Sequence, residues 1–85
     1  MNQSSAKEVR VRYFAALKAA RGEGSETVTT KAGTVDELYR ELAERHRFTL
    51  EPHLVKAAVG DEFVPPETRL EPGMEVLFMP PMAGG

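Results

Sequence analysis

The last two residues of the sequence, Gly84 and Gly85, suggest chemistry by their type and position. Glycine has no side chain, so a carboxylate on Gly-Gly can enter a narrow active site and adopt whatever backbone angle the site imposes. A carboxylate reacts with nucleophiles only after it gains a better leaving group, as in an acyl-adenylate. The activated Gly85 could then accept sulfur, giving a thiocarboxylate, or an amine, giving an isopeptide bond. The sequence therefore suggests a carrier or a modifier that reacts inside other proteins' active sites.

The chain lacks the residues that would let it perform these steps by itself. It contains no cysteine, which excludes thiolate catalysis and cysteine-ligated zinc, so any carried sulfur must sit on the Gly85 carboxyl group. The Gly-x-x-x-x-Gly-Lys-[Ser/Thr] phosphate-binding motif is missing from the sequence, so a separate activating enzyme must use the ATP. His46 and His53 are best interpreted as ordinary surface or packing residues. We therefore expect no metal site and no cofactor bound by this chain.

Length and charge restrict the class of protein further. The sequence has 85 residues with 11 basic and 13 acidic side chains, a net charge of −2 and no basic stripe, which argues against nucleic acid as a partner. A polar start and the lack of any 18-residue apolar run predict a cytoplasmic protein with no membrane partner. We expect a flexible leader (1–7), one domain (8–79) and an extended tail (80–85).

The tail has a composition that suits threading into a partner. Pro80 and Pro81 lack backbone N–H groups and favour an extended course. Six residues can span about 20 Å when extended. Met82, Ala83 and Gly84 would then form a slim segment that carries Gly85 into a partner. The alternative is an ordinary disordered end.

Hydrophobic periodicity predicts the elements that hold this tail. Residues 9–14 alternate as a strand with Val9, Val11 and Tyr13 facing the core, and an alanine-rich helix at 15–21 ends at Gly22. A second strand follows at 26–30.

The main helix begins at Thr34, where a capping box with Glu37 is predicted. Its apolar stripe comprises Val35, Leu38, Tyr39, Leu42 and Ala43. Strands at 54–59 and 62–64 flank Gly60-Asp61, for which we predict a type II′ turn, and the last strand covers 75–79. This order predicts an α+β fold, a mixed sheet of about five strands with one main helix on one face.

The last strand carries apolar residues on both faces. Val76 and Phe78 should point to the helix, which leaves Leu77 and Met79 on the opposite face. That face would normally be polar, so these residues indicate a partner surface. Alternatively, the short helix at 15–21 could cover them.

Several segments together carry a family resemblance. They read VRVRYFAAL at 9–17, TVDEL at 34–38, AVGDEFV at 58–64 and LEPGMEVLFMPPMAGG at 70–85. From Val9 to Gly85 the chain resembles the ubiquitin-like β-grasp sulfur carriers, and more closely the small subunit of molybdopterin synthase.

The resemblance implies a cycle and a set of partners. An adenylating enzyme related to ubiquitin-activating enzymes would adenylate Gly85, and a sulfurtransferase donor would convert it to a thiocarboxylate. The tail would then enter the large catalytic subunit and give sulfur to a pterin precursor, in a heterotetramer. By position, Leu77, Met79, Pro80, Pro81 and Met82 would line the docking surface. The alternatives are a ubiquitin-like modifier, a carrier for thiamine synthesis or tRNA thiolation, and a plain interaction module.

Overall fold

The computed structural model describes residues 6–81, which form one five-stranded sheet with helices packed against it. The elements in chain order are β1 (Lys7–Tyr13), α1 (Ala16–Arg21), β2 (Ser25–Thr30), α2 (Val35–His46), a short 3-10 helix (Pro52–Leu54), β3 (Lys56–Val59), β4 (Glu62–Val64) and β5 (Glu75–Met79). The strand order is β2-β1-β5-β3-β4. β1 runs parallel to β5, and the other neighbouring strands are antiparallel. The predicted α+β class, mixed sheet and two helices are confirmed.

The core lies between α2 and one face of the sheet, which we call the covered face. From α2 it takes Val35, Leu38, Tyr39 and Leu42, all at most 2% exposed. The sheet supplies Val9, Val11, Tyr13, Val28, Val76 and Phe78, all at most 3% exposed. The period-2 prediction for β1 and β5 is therefore confirmed, as is the apolar stripe of α2. Burial of this stripe is what stabilises a 12-residue helix that would be marginal alone.

The N-terminus of α2 is capped slightly differently from the prediction. The Thr34 hydroxyl accepts a hydrogen bond from the Glu37 N–H at 3.1 Å, as expected. The Glu37 carboxylate, however, accepts from the Gly33 N–H at 2.7 Å rather than from Thr34. The carboxylate still lies at the positive end of the helix dipole.

The turn between β3 and β4 is of type I′ rather than the predicted type II′. Gly60 has φ +58° and Asp61 has φ +72°, and positive φ at both central residues defines type I′, so the type II′ prediction was wrong. Aspartate adopts the left-handed region more easily than most residues because its short side chain interacts with its own backbone. The hairpin itself is confirmed.

Two strand boundaries also differ. β3 begins at Lys56 because residues 52–54 form the 3-10 helix, where a strand start at Leu54 had been predicted. β1 begins at Lys7, whose ammonium group donates to the Ala32 carbonyl at 2.6 Å. Lys7 is therefore part of the sheet rather than of a leader.

Candidate functional site

The predicted reactive residues lie beyond the described part of the chain. Met82, Ala83, Gly84 and Gly85 all follow Pro81, the last described residue. The candidate site is therefore the surface around the end of β5, from which these residues continue. Pro80 is half-buried and Pro81 is exposed at this point.

One side of this surface is the sheet face opposite α2, the outer face. Strand register places four residues side by side across it, which we call the outer row: Arg12 of β1, Leu77 of β5, Ala58 of β3 and Phe63 of β4. Ala58 is buried and Leu77 half-buried, whereas Phe63 is 63% exposed. The row thus has an apolar centre, with the exposed Arg12 at one end and the projecting Phe63 ring at the other.

A second pair continues the apolar surface toward the tail. Register pairs Met79 with Lys56, and the Lys56 ammonium group lies 6.0 Å from the centroid of the Phe63 ring. Phe14 is 52% exposed and comes directly after β1, where its N–H donates to the Phe78 carbonyl at 3.1 Å. Strand alternation puts Phe14 on the side opposite Tyr13. Apolar surface therefore accompanies β5 up to Pro80.

Sequence reasoning placed Leu77 and Met79 on this face but missed Phe14, Ala58 and Phe63. Strand alternation alone could have assigned Phe14 to this face, because it lies two residues after Arg12 and residues two apart in a strand point to the same side. Finding Ala58 and Phe63 required the knowledge that β3 pairs with β5, which periodicity does not supply.

The short helix α1 lies on the core side rather than over the outer face. Its residue Leu17 is 2% exposed and belongs to the hydrophobic core. The shallow recess beside Leu77 is lined by β1, β3, β5 and the β3–β4 turn. The alternative in which α1 covers Leu77 is therefore not what the structure shows.

The other side of the tail base is a groove, which we call the tail groove. It has a volume of about 420 Å³. Its lining is apolar except for one threonine: Ala16, Leu17 and Ala20 of α1, Phe48, Thr49 and Leu50 of the segment after α2, and Pro80 and Pro81. Pro80 and Pro81 therefore lie between the outer face and this groove.

Phe48 reaches the groove floor because α2 ends in an unusual way. Arg47 has φ +61° and ψ +41°, a left-handed conformation that usually requires glycine. The Phe48 N–H then donates to the Ala43 carbonyl at 2.9 Å, which turns the chain back toward the core. The Phe48 ring packs edge-on against Tyr13 at a centroid distance of 5.6 Å.

The connection from β1 to α1 is strained. Ala15 has φ +53° and ψ −123°, a conformation that L-residues rarely adopt. The Leu17 N–H donates to the Phe14 carbonyl at 3.1 Å across this tight turn. The turn carries the chain from Phe14 on the outer side to Leu17 in the core.

A carboxylate on the covered face ties the helices to the sheet. Glu26 of β2 accepts hydrogen bonds from the Tyr13 hydroxyl at 2.5 Å and from the Arg21 guanidinium at 3.0 Å. His46 Nε2 lies 2.9 Å from the same carboxylate. Burial alone would raise the pKa of Glu26, but these three hydrogen bonds outweigh it and lower the pKa to about 2. Burial, together with the bond to Glu26, raises the pKa of Tyr13.

These features define a class of protein. A five-stranded mixed sheet crossed by one helix, with the last strand at its centre, is the ubiquitin-like β-grasp architecture. The chain belongs to the ThiS family, whose model matches residues 11–85, and it is a β-grasp sulfur carrier of that family. No curated protein matches the sequence significantly. Between residues 6 and 81, no helix is long and apolar enough to cross a membrane.

Solved structures agree on the fold. A putative molybdopterin converting factor subunit 1 from Pyrococcus furiosus is 26% identical with a TM-score of 0.74, covering 89% of this chain and 99% of that one. A chain of the complex of subunits 1 and 2 of the Helicobacter pylori molybdopterin-converting factor is 25% identical with a TM-score of 0.62, over 92% and 99% of the two chains. Small archaeal modifier protein 1 from Methanosarcina acetivorans is 19% identical with a TM-score of 0.75, over 94% and 98%.

Proposed function

We propose that this chain carries sulfur as a thiocarboxylate on Gly85 and delivers it to a pterin precursor during molybdopterin synthesis. The observation that best supports this role is the similarity, at 26% identity over nearly the full length of each chain, to a putative molybdopterin converting factor subunit 1. A chain of the complex of subunits 1 and 2 of such a factor is similar at 25% identity. The similarity to the archaeal modifier, at 19% identity, concerns the fold alone.

The chemistry would proceed on the Gly85 carboxyl group. The carboxylate attacks the α-phosphate of ATP inside an adenylating enzyme and releases pyrophosphate. The terminal sulfur of a persulfide donor then displaces AMP and forms an acyl disulfide. A thiol attacks the donor's sulfur in that acyl disulfide, which forms a disulfide with the donor and releases the thiocarboxylate on Gly85. Since the chain has no cysteine, every sulfur-bearing intermediate on this protein is located at Gly85.

The outer row and the tail base would form the docking surface for the large catalytic subunit. Leu77 and Met79 lie on rigid β5, so their positions are fixed before binding and little ordering entropy is lost. Pro80 and Pro81 would direct Met82, Ala83 and Gly84 away from the sheet and into the partner. ATP would be used only by the activating enzyme.

The test is an intact-mass measurement on the chain co-expressed with its adenylating enzyme and sulfur donor. We expect a mass increase equal to the replacement of one oxygen by sulfur, and the loss of that increase in a variant lacking Gly85. The thiocarboxylated protein should then convert the pterin precursor when mixed with the large subunit. A chain that never gains sulfur would contradict the proposal. Gly-Gly remnants of this chain on lysines of other proteins would favour the modifier instead.

A further inference from the structure

The tail groove is an apolar feature that the proposed transfer chemistry does not by itself require. We propose that it receives an apolar side chain projecting from the adenylating enzyme, so that this enzyme grips the carrier on both sides of the tail. The inference rests on the proposed function, because it concerns the enzyme that activates Gly85.

The composition of the groove determines what it can bind. Seven of its eight lining residues are apolar, and Thr49 is the exception. A charged or strongly polar occupant would lose its hydration without finding partners, which is costly. An aliphatic or aromatic side chain would instead remove apolar surface from water on both molecules.

The groove is open because two of the three α1 residues that line it are alanines. Ala16 and Ala20 are exposed and lie one helical turn apart, so the methyl groups of both leave space above Phe48 and Leu50. Phe48 is 9% exposed and is fixed by the turn at Arg47, so the floor is already in place without a ligand. A preformed apolar groove costs little to occupy.

The length of the tail limits how far from the groove the enzyme that activates Gly85 can lie. Four residues separate Pro81 from the end of Gly85, and four extended residues reach about 14 Å. Any active site that holds the Gly85 carboxyl must therefore come within about 14 Å of Pro81, which is itself a wall of the groove. The adenylating enzyme must therefore bring its surface close to the groove as well as to the end of β5, which places an apolar side chain of that enzyme within reach of the groove.

The experiment compares two neighbouring alanines of α1. Ala20 lines the groove, whereas Ala19 is exposed and does not line it. Carrier-dependent ATP–pyrophosphate exchange by the purified adenylating enzyme would be measured for Ala20→Arg, Ala20→Leu and Ala19→Arg. We expect kcat/KM to fall about tenfold or more for both Ala20 variants, as for loss of one well-packed contact, and less than about twofold for Ala19→Arg. Thermal unfolding and circular dichroism would verify that each variant is folded.

The outcomes separate the two proposals. The original chain could support exchange while the folded Ala20→Leu variant shows an unchanged kcat/KM. That result would overturn the proposal about the groove and leave the proposed function intact. Equal losses for Ala19→Arg and Ala20→Arg would also overturn it, because the effect would then belong to added charge. An increased rate for the Ala20 variants would indicate that the groove holds the chain's own Met82 instead. No exchange with the original chain would contradict the proposed function itself.

Discussion

The two faces of β5 are built from similar residues but have different roles. Val76 and Phe78 face α2 and are at most 1% exposed, whereas Leu77 and Met79 face outward and are half-buried. All four are large and apolar. The difference arises from what covers them, since α2 seals one face while the other face carries the outer row.

The comparison shows how one strand can serve stability and recognition together. On the covered face, apolar side chains interlock with a helix, and each one contributes to the free energy of unfolding. On the outer face, Leu77 lies beside the small Ala58, with Phe63 projecting at the end of the row. That surface gains its hydrophobic energy only when a partner removes it from water.

The largest expected effect separates the two faces directly. Phe78→Ala should lower the free energy of unfolding by about 3–5 kcal/mol, because it leaves a cavity beside Tyr39. The centroids of the Tyr39 and Phe78 rings lie 5.4 Å apart. Leu77→Ala should cost only about 1 kcal/mol, since its side chain is already partly in water. Urea unfolding of both variants measures the difference.

Binding to the large subunit should depend more on Leu77 than on Phe78, the reverse of the order expected for stability. Leu77→Ala should weaken the association with the large subunit by about tenfold or more if Leu77 is a central contact. Calorimetric titration of the folded variant would measure it. A Leu77→Ala chain that unfolds as readily as Phe78→Ala would mean that the outer face is part of the core.

The second effect concerns the carboxylate of the covered face. Glu26 has a folded pKa of about 2, below its usual value of 4.5, so the folded state binds fewer protons than the unfolded state. Its contribution of about 3 kcal/mol is fully present above pH 5 and is lost as the pH falls toward 2. The groups that face it are Tyr13 of β1, Arg21 of α1 and His46 of α2.

Acid unfolding of Glu26→Gln would test this contribution. The variant should be less stable at neutral pH and should lose less stability between pH 5 and pH 2 than the original chain. Glu44→Gln, at an exposed position of α2, is the control and should leave that slope nearly unchanged. An unaltered slope in Glu26→Gln would show that another group governs acid sensitivity.

The smallest effect lies at the turn that joins the two faces. Ala15→Gly should raise the free energy of unfolding by about 1 kcal/mol, because glycine tolerates the positive φ better than alanine does. Ala16→Gly, one residue later in α1, should lower it by about 0.5 kcal/mol. Thermal unfolding of both variants measures whether each change raises or lowers the free energy of unfolding. A loss of stability in both would mean that Ala15 is not strained.

The covered face could be predicted from the sequence because its signals are local. Alternation in β1 and β5 and the stripe of α2 assign each residue to a face without knowledge of its neighbours. The capping residue Thr34 and the glycine end of α1 are equally local.

The outer row and the Glu26 contacts could not be predicted, because they depend on strand order and distant partners. Phe63 joins Leu77 only through the pairing of β3 with β5, and His46 reaches Glu26 across 20 positions of sequence. The left-handed turn at Arg47, which positions Phe48, contains no glycine, so the sequence carries no signal that predicts it. The tail residues 82–85 are outside the described chain, so their assignment stays a prediction.

The central position of β5 has a consequence for biosynthesis. β1–β2 and β3–β4 are antiparallel hairpins that both precede β5 in the sequence, and β5 pairs with both β1 and β3. The parallel contact of Arg10 with Glu75 spans most of the sequence, so the sheet closes late and through non-local pairing. The outer row crosses both hairpins and exists only once β5 has joined them. A partner that binds this row would therefore recognise only chains in which β5 has joined the sheet.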